Sequence, residues 1–296
     1  MPTVLLGWIW LAAIIFVVFC GLKALKYARA PVHLRWDLYP VAHEPGREHG
    51  GSYLEQKDWW TKKRVKSHWG EATFMAAEIF WLHGVRENNR KLWRGSLPFH
   101  WGLYILLGVS GGLLIAGLGF APALWLNLLA VGGAVGGILT AVGASALLII
   151  RSTDPKFRPY TSPGDRINLT ILFVLGGLCA AVSMLPGGIT EATAAVGRML
   201  RLQAPEVSAL LAAQMAVAAL FIFYLPFTRM VHFFSKYFTY HQVRWDDTPV
   251  EAGSALERKL LSALDFGVDW SAEHIKPTGK TWLEVATTLP KKDDGD

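Results

Sequence analysis

Apolar residues gather into five long runs, 3–25, 98–119, 121–150, 167–185 and 207–232, separated by stretches rich in charge, proline and glycine. At about 1.5 Å per helical residue, each run is long enough to cross roughly 30 Å of hydrocarbon. The pattern predicts an all-α integral membrane protein, a bundle of five transmembrane helices. The third run exceeds what a span needs, so part of it tilts or emerges. Helix breakers mark the joints: Pro122, the cluster Pro155, Pro159 and Pro163, and Leu185-Pro186-Gly187-Gly188. The first run starts at once after Met1-Pro2, with no basic segment and no small-residue cleavage site, and reads as a retained helix.

Four segments follow: a first transmembrane helix (1–27), a polar loop (28–97), a four-helix membrane core (98–233) and a polar tail (234–296). Within the loop, residues 72–85 (ATFMAAEIFWLHGV) predict a short helix in the interface or under a partner, too short to span. In the tail, Ser254 and Glu257 predict a capping box, and Leu256, Leu260, Leu261 and Leu264 form a stripe at helical spacing. That stripe suits either a self-packed helix or a docking surface for a soluble subunit.

Charge orients the bundle. Of 29 Lys and Arg, 27 fall at the end of the first run, in the loop, between Arg151 and Arg166, or from Arg229 onward; only Arg198 and Arg201 fall on the other side. Cationic loops are retained in the cytoplasm, so the N-terminus is expected outside and the C-terminus inside. The net charge of +6 and pI near 9.3 are then a topology signal and do not imply nucleic acid as a partner. Composition agrees with membrane insertion: 52% hydrophobic and only 18% charged residues, with a mean hydropathy of +0.30.

The candidate chemistry is histidine chemistry. Cys20 and Cys179 both lie in apolar runs, too few for a disulfide framework or a thiolate cluster, so any iron-sulfur cluster belongs to a partner. Seven histidines (His33, His43, His49, His68, His83, His241, His274) fall in polar segments. The other two, His100 and His232, stand at the start of the second run and the end of the fifth. The alternating topology puts both at one depth near the cytoplasmic face. Two imidazoles at one depth are what a six-coordinate haem iron needs; interfacial histidines in contact with water or headgroups are the alternative. Arg229, three residues before His232, and Arg158 and Arg166, from the loop on the same side, are candidate propionate partners. Glycines recur in the second and third runs and suit either a macrocycle or close helix packing. A surface haem on His83 and His241 is a weaker reading, since neither lies in a spanning run.

From about Pro98 to Tyr237 the sequence resembles the gamma-subunit family of respiratory nitrate reductases. These are five-helix membrane cytochromes b, grouped with the membrane subunits of heterodisulfide-reductase-like, Dsr- and Tmc-type complexes. The motifs are Phe99-His100-x-Gly102, Gly132-Gly133-Ala134, Arg158 through Gly164-Asp165, and Pro226-Phe227-Thr228-Arg229-Met230-Val231-His232. The resemblance implies that His100 and His232 are axial ligands of a haem b near the cytoplasm. The family's second haem is ligated ten residues after the first histidine and eighteen before the last, where this chain has Ser110 and Gln214. One haem b is therefore expected, and the family's outer quinol site is in doubt. The loop and the tail, with Trp270-Ser271-Ala272-Glu273-His274-Ile275-Lys276 and Lys280-Thr281-Trp282, look closer to the sulfur-respiration branch, whose cytoplasmic partner is a heterodisulfide-reductase-like iron-sulfur protein.

The expected function is electron transfer between the quinone pool and such a partner, as one subunit of a larger oxidoreductase complex in the cytoplasmic membrane of a prokaryote. Chemistry on the final substrate would occur in other subunits. A haem-free anchor and a two-haem quinol oxidase subunit are the alternatives.

Overall fold

The computed structural model describes residues 2–30, 44, 52–241, 248–269 and 279–288. Eleven helices are found among them: α1 (Pro2–Ala28), α2 (His68–Phe80), α3 (His83–Asn88), α4 (Arg90–Gly117), α5 (Ala123–Thr153), α6 (Pro163–Met184), α7 (Gly188–Leu200), α8 (Ala209–Tyr224), α9 (His232–Thr239), α10 (Ala255–Leu264) and α11 (Trp282–Thr287). Five helical stretches are long and apolar enough to cross a membrane: α1, α4, α5, α6 and Ala209–Phe227. The chain divides into two compact units, Met1–Gly21 with Ala72–Val231, and Leu22–Glu71 with His232–Asp296.

In the first unit α4, α5 and α6 pack side by side, α8 lies on α6, and α7 closes one end against α4. Glycine makes the seams. A β-carbon on Gly102 would fall 2.4 Å from the Thr140 backbone nitrogen, one on Gly137 2.6 Å from Ala180 N and Gly176 O, and one on Gly143 2.5 Å from Phe99 N. Helix backbones therefore touch, and dispersion contacts replace the hydrophobic drive that lipid cannot supply. Of the two sequence readings of these glycines, helix packing holds for Gly112, Gly132, Gly133, Gly136 and Gly137, while Gly108 and Gly111 face open space.

The joints follow local chemistry. Ser162 caps α6, accepting from Asp165 N at 3.2 Å while its own N–H donates to the Asp165 carboxylate at 2.9 Å, with Pro163 behind it at the first helical position. Gly187 takes φ +78 to turn the chain into α7, a thirteen-residue helix where the sequence suggested only a loop. Ser208 caps α8 and is itself held through its N–H and hydroxyl by Glu191 of α7.

α1 runs parallel to α8: Trp8 donates to Ala216 O at 3.3 Å and lies 5.4 Å from the Phe223 ring, and Phe19 is 4.9 Å from Phe227. Much of its surface is exposed apolar side chain, including Val17 (67%) and Ile14 (56%), the surface of a helix whose solvent is lipid.

α4 begins at Arg90, eight residues before the expected start, and carries Pro98 within it. Lys91 Nζ meets the Asp154 carboxylate at 2.6 Å and ties the start of α4 to the end of α5. The Lys91 hydrogen bond, helped by the Lys156 backbone N–H, holds Asp154 below the ordinary carboxylate range. A lowered folded-state pKa gives stability that is present above the unfolded value and lost as pH falls through the folded one. We expect Lys91→Met to lower the thermal midpoint at neutral pH by a small amount, with the difference from wild type vanishing in acid; a difference that persisted there would remove this linkage.

In the second unit Tyr27, at the end of α1, stacks near Phe234 and Phe238 of α9. The tail folds on itself: α10 and α11 are joined by the bridge between Gly267 and Thr281, with Ala263 and Val268 buried. Ser254 caps α10 as expected, but the Glu257 carboxylate accepts from Gly253 N at 2.6 Å instead of returning to Ser254.

Candidate functional site

His100 lies on α4, half-buried, in the first unit. Its Nδ1 is 2.7 Å from Ser96 O, one helical turn back. A proton on Nδ1 is held by that carbonyl, which orients the ring. The neighbouring Phe99 is buried in a cluster with Ala144, Leu147, Leu169 and Leu172, against which Phe221 and Met230 pack. The residue before His100 and the end of the fifth span therefore share one core layer.

The fifth span does not run on to His232 as the apolar pattern suggested. Pro226 has no N–H to continue the ladder. α8 stops at Tyr224, two 3-10 turns follow at Leu225–Phe227 and Arg229–Val231, and the Thr228 hydroxyl donates to Leu225 O at 2.9 Å while accepting from Met230 N at 3.0 Å. The candidate span ends at Phe227. His232 opens α9, is exposed, and belongs to the second unit.

Arg158, in a 3-10 turn, Arg166, on the first turn of α6, and Arg229 are all exposed, and all three belong to the first unit. Arg229 and Arg151 both act electrostatically on Asp165, so the ends of α5 and α8 converge on the α6 cap.

At the positions of the family's second haem the side chains are engaged in other ways. The Ser110 hydroxyl donates to Leu106 O at 2.8 Å within its own helix. Gln214 Nε2 donates to Cys179 Sγ at 3.3 Å, and its Oε1 is buried without a hydrogen-bond partner. A serine hydroxyl spent on its helix and a carboxamide bound to a thiol are poor donors to iron. His100 offers an imidazole of the kind a haem iron takes, whereas Ser110 and Gln214 do not offer a second ligand pair.

Of the other histidines, His241 has both ring nitrogens on acceptors, Nδ1 at 2.8 Å from Tyr237 O and Nε2 on the Glu71 carboxylate, and its ring stacks on Tyr237 at 4.2 Å. That arrangement opposes the surface-haem reading. His83 pairs with Glu87 at 3.0 Å in α3. His33, His43, His49 and His274 lie outside the described residues, as does the stretch from Trp270 to Lys276. Among the described residues no group of three or more His, Cys, Asp or Glu is placed to hold a metal ion.

One arrangement beside His100 was not legible beforehand. Trp93, Trp101 and Tyr104 of α4 donate to the carbonyls of Trp81 (2.8 Å), Phe80 (3.0 Å) and Ile79 (3.0 Å) at the C-terminal end of α2. Leu82 then takes φ +50 and separates α2 from α3, so the expected helix over 72–85 is two helices. Only the density of aromatics in FWLHGVRENNRKLWRGSLPFHWGLY hinted at it.

The family model described as nitrate reductase gamma subunit matches residues 86–246, more than half of the chain. The nitrate reductase gamma chain of Bacillus subtilis (strain 168) is 31% identical over 171 residues, covering 51% of this chain and 77% of that protein.

Proposed function

This chain belongs to the nitrate reductase gamma subunit family, and from that premise we propose that it carries electrons between the membrane quinone pool and a cytoplasmic iron-sulfur subunit, through a single haem b ligated by His100 and His232. The family is one of membrane cytochromes b acting in electron transfer, and the chain is a multi-pass membrane protein of a prokaryote. The observation that supports the proposal is the His100 ring, oriented on its own helix by Ser96 O at 2.7 Å beside the buried layer of Phe99.

When bound, a bis-histidine haem supplies reversible one-electron exchange without a change of ligands. The chain does the rest. Ser96 fixes the ring of His100. Arg229, Arg158 and Arg166 supply cationic charge for propionates at one end of the bundle, and the glycine seams between α4, α5 and α6 exclude water from the layer of Phe99 and Leu172. The parallel course of α1 and α8 supports an odd number of alternating spans, and with the one-sided charge it supports an N-terminus outside and a C-terminus in the cytoplasm. The tail would then meet the iron-sulfur partner, in the manner of heterodisulfide-reductase-like complexes.

The single-haem reading rests on Ser110 and Gln214. A pyridine haemochrome assay on the purified chain should return about one haem b per polypeptide, since there is one histidine pair to ligate iron. Two haems would restore the outer site, and none would leave a membrane anchor for a soluble redox complex.

A further inference from the structure

Residues 57–69 of the second unit, KDWWTKKRVKSHW, follow none of the helical patterns of the spans and lie outside the matched family region. The segment holds a short 3-10 turn, Trp59–Thr61, and is then irregular until α2. Arg64 is turned inward: its side chain is 15% exposed, donates to the Thr248 hydroxyl at 2.9 Å, approaches Glu44 at 4.0 Å and lies 5.5 Å from the Tyr53 ring. The other cations, Lys57, Lys62, Lys63 and Lys66, are exposed. Between them stand bulky apolar side chains that are also exposed: Trp60 at 68%, Val65 at 58% and Trp69 at 80%. Asp58 is the one acidic residue of the segment, and none follows until Glu71.

Arg64 acts as an anchor that fixes the segment while its neighbours present lysines flanked by tryptophans. That pairing matches a bilayer surface, where phosphates take the ammonium groups and the headgroup boundary takes the indoles. A membrane is also at hand, because the segment is tethered between α1 and α4, two helices fit to span one. We propose that residues 57–69 bind the surface of an anionic bilayer. The assignment rests on the proposed inside placement of the loop, and it removes this stretch from the footprint of the protein partner, leaving the tail for that contact.

The test uses the full chain, with Cys20 and Cys179 replaced by serine and a spin label at W60C, in nanodiscs of phosphatidylcholine alone or with phosphatidylglycerol. With the anionic lipid, collision with oxygen should rise and collision with a water-soluble nickel reagent should fall severalfold, while a label at K259C on α10 stays unchanged. Replacing Lys62, Lys63 and Lys66 together by glutamine should erase the difference between lipids, and salt should weaken it. A label at 60 equally open to nickel in both lipids would overturn the proposal; so would shielding from both reagents regardless of lipid, which would indicate cover by protein. Labelling the same cysteine from outside in intact cells reports the orientation separately.

Discussion

Replacing either His100 or His232 by alanine is expected to abolish the low-spin b-type spectrum of the purified chain. A bis-histidine iron that loses one imidazole becomes five-coordinate or takes water, and its spectrum turns high-spin or the haem is lost. At His100 the substitution removes a side-chain bond to the Ser96 carbonyl and leaves the backbone ladder of α4 intact, so the bundle should stay inserted. Added imidazole separates the two ways of losing signal. Recovery of the low-spin spectrum in the alanine variants marks a vacated ligand position, and no recovery in a correctly inserted chain argues for collapse. A low-spin spectrum that survives either substitution would sink the pairing.

The second large effect is expected at the seams. A methyl group on Gly143 would meet Phe99 N, Cα and Cβ at 2.5 to 2.6 Å, and one on Gly102 would meet Thr140 N at 2.4 Å and Gly136 O at 2.8 Å. These neighbours are mainly backbone or fixed at Cβ, so relief means parting α4 from α5. Overpacking of a fitted core costs about 1–3 kcal/mol, and a forced backbone shift lies at the upper end. Gly143→Ala and Gly102→Ala should lower the thermal midpoint in detergent and also reduce haem retention, because Phe99 is adjacent to His100. Gly108→Ala, with nothing within 4 Å, is the control; it should be neutral or gain up to about 1 kcal/mol from helix propensity. Equal losses at all three positions would show that the seams do not determine stability.

The five spans were legible because a bilayer imposes its thickness on the sequence: the apolar runs at 98–119 and 121–150 could be little else. Their ends were less so. Run length could not show that Pro226 and Thr228 close the fifth helix early, because Met230 and Val231 resume the apolar run beyond Thr228 and Arg229. α7 escaped notice because Gly188-Ile189-Thr190-Glu191 opens like a loop, and the helix is stabilised by packing of Ala192 and Ala195 on Val182 and Leu211, a long-range fact. The candidate site divides in the same way. His100 could be singled out by its depth. Its fixed Nδ1 depends on a carbonyl one turn away, which any helix offers and which the apolar pattern does not reveal. The glycines were ambiguous in sequence and became readable only as distances.

The three α4 donors that meet the end of α2 also constrain the order of biogenesis. The carbonyls of Ile79, Phe80 and Trp81 are synthesised before Trp93, Trp101 and Tyr104, and all three of those donors sit on the helix that forms the second span. At about 5–20 residues per second the wait is on the order of a second or more. Until then the end of α2 depends on water for its hydrogen bonds. The end of α2 therefore gains these partners only once α4 is in place, which couples the loop helix to the position of the helix that carries His100.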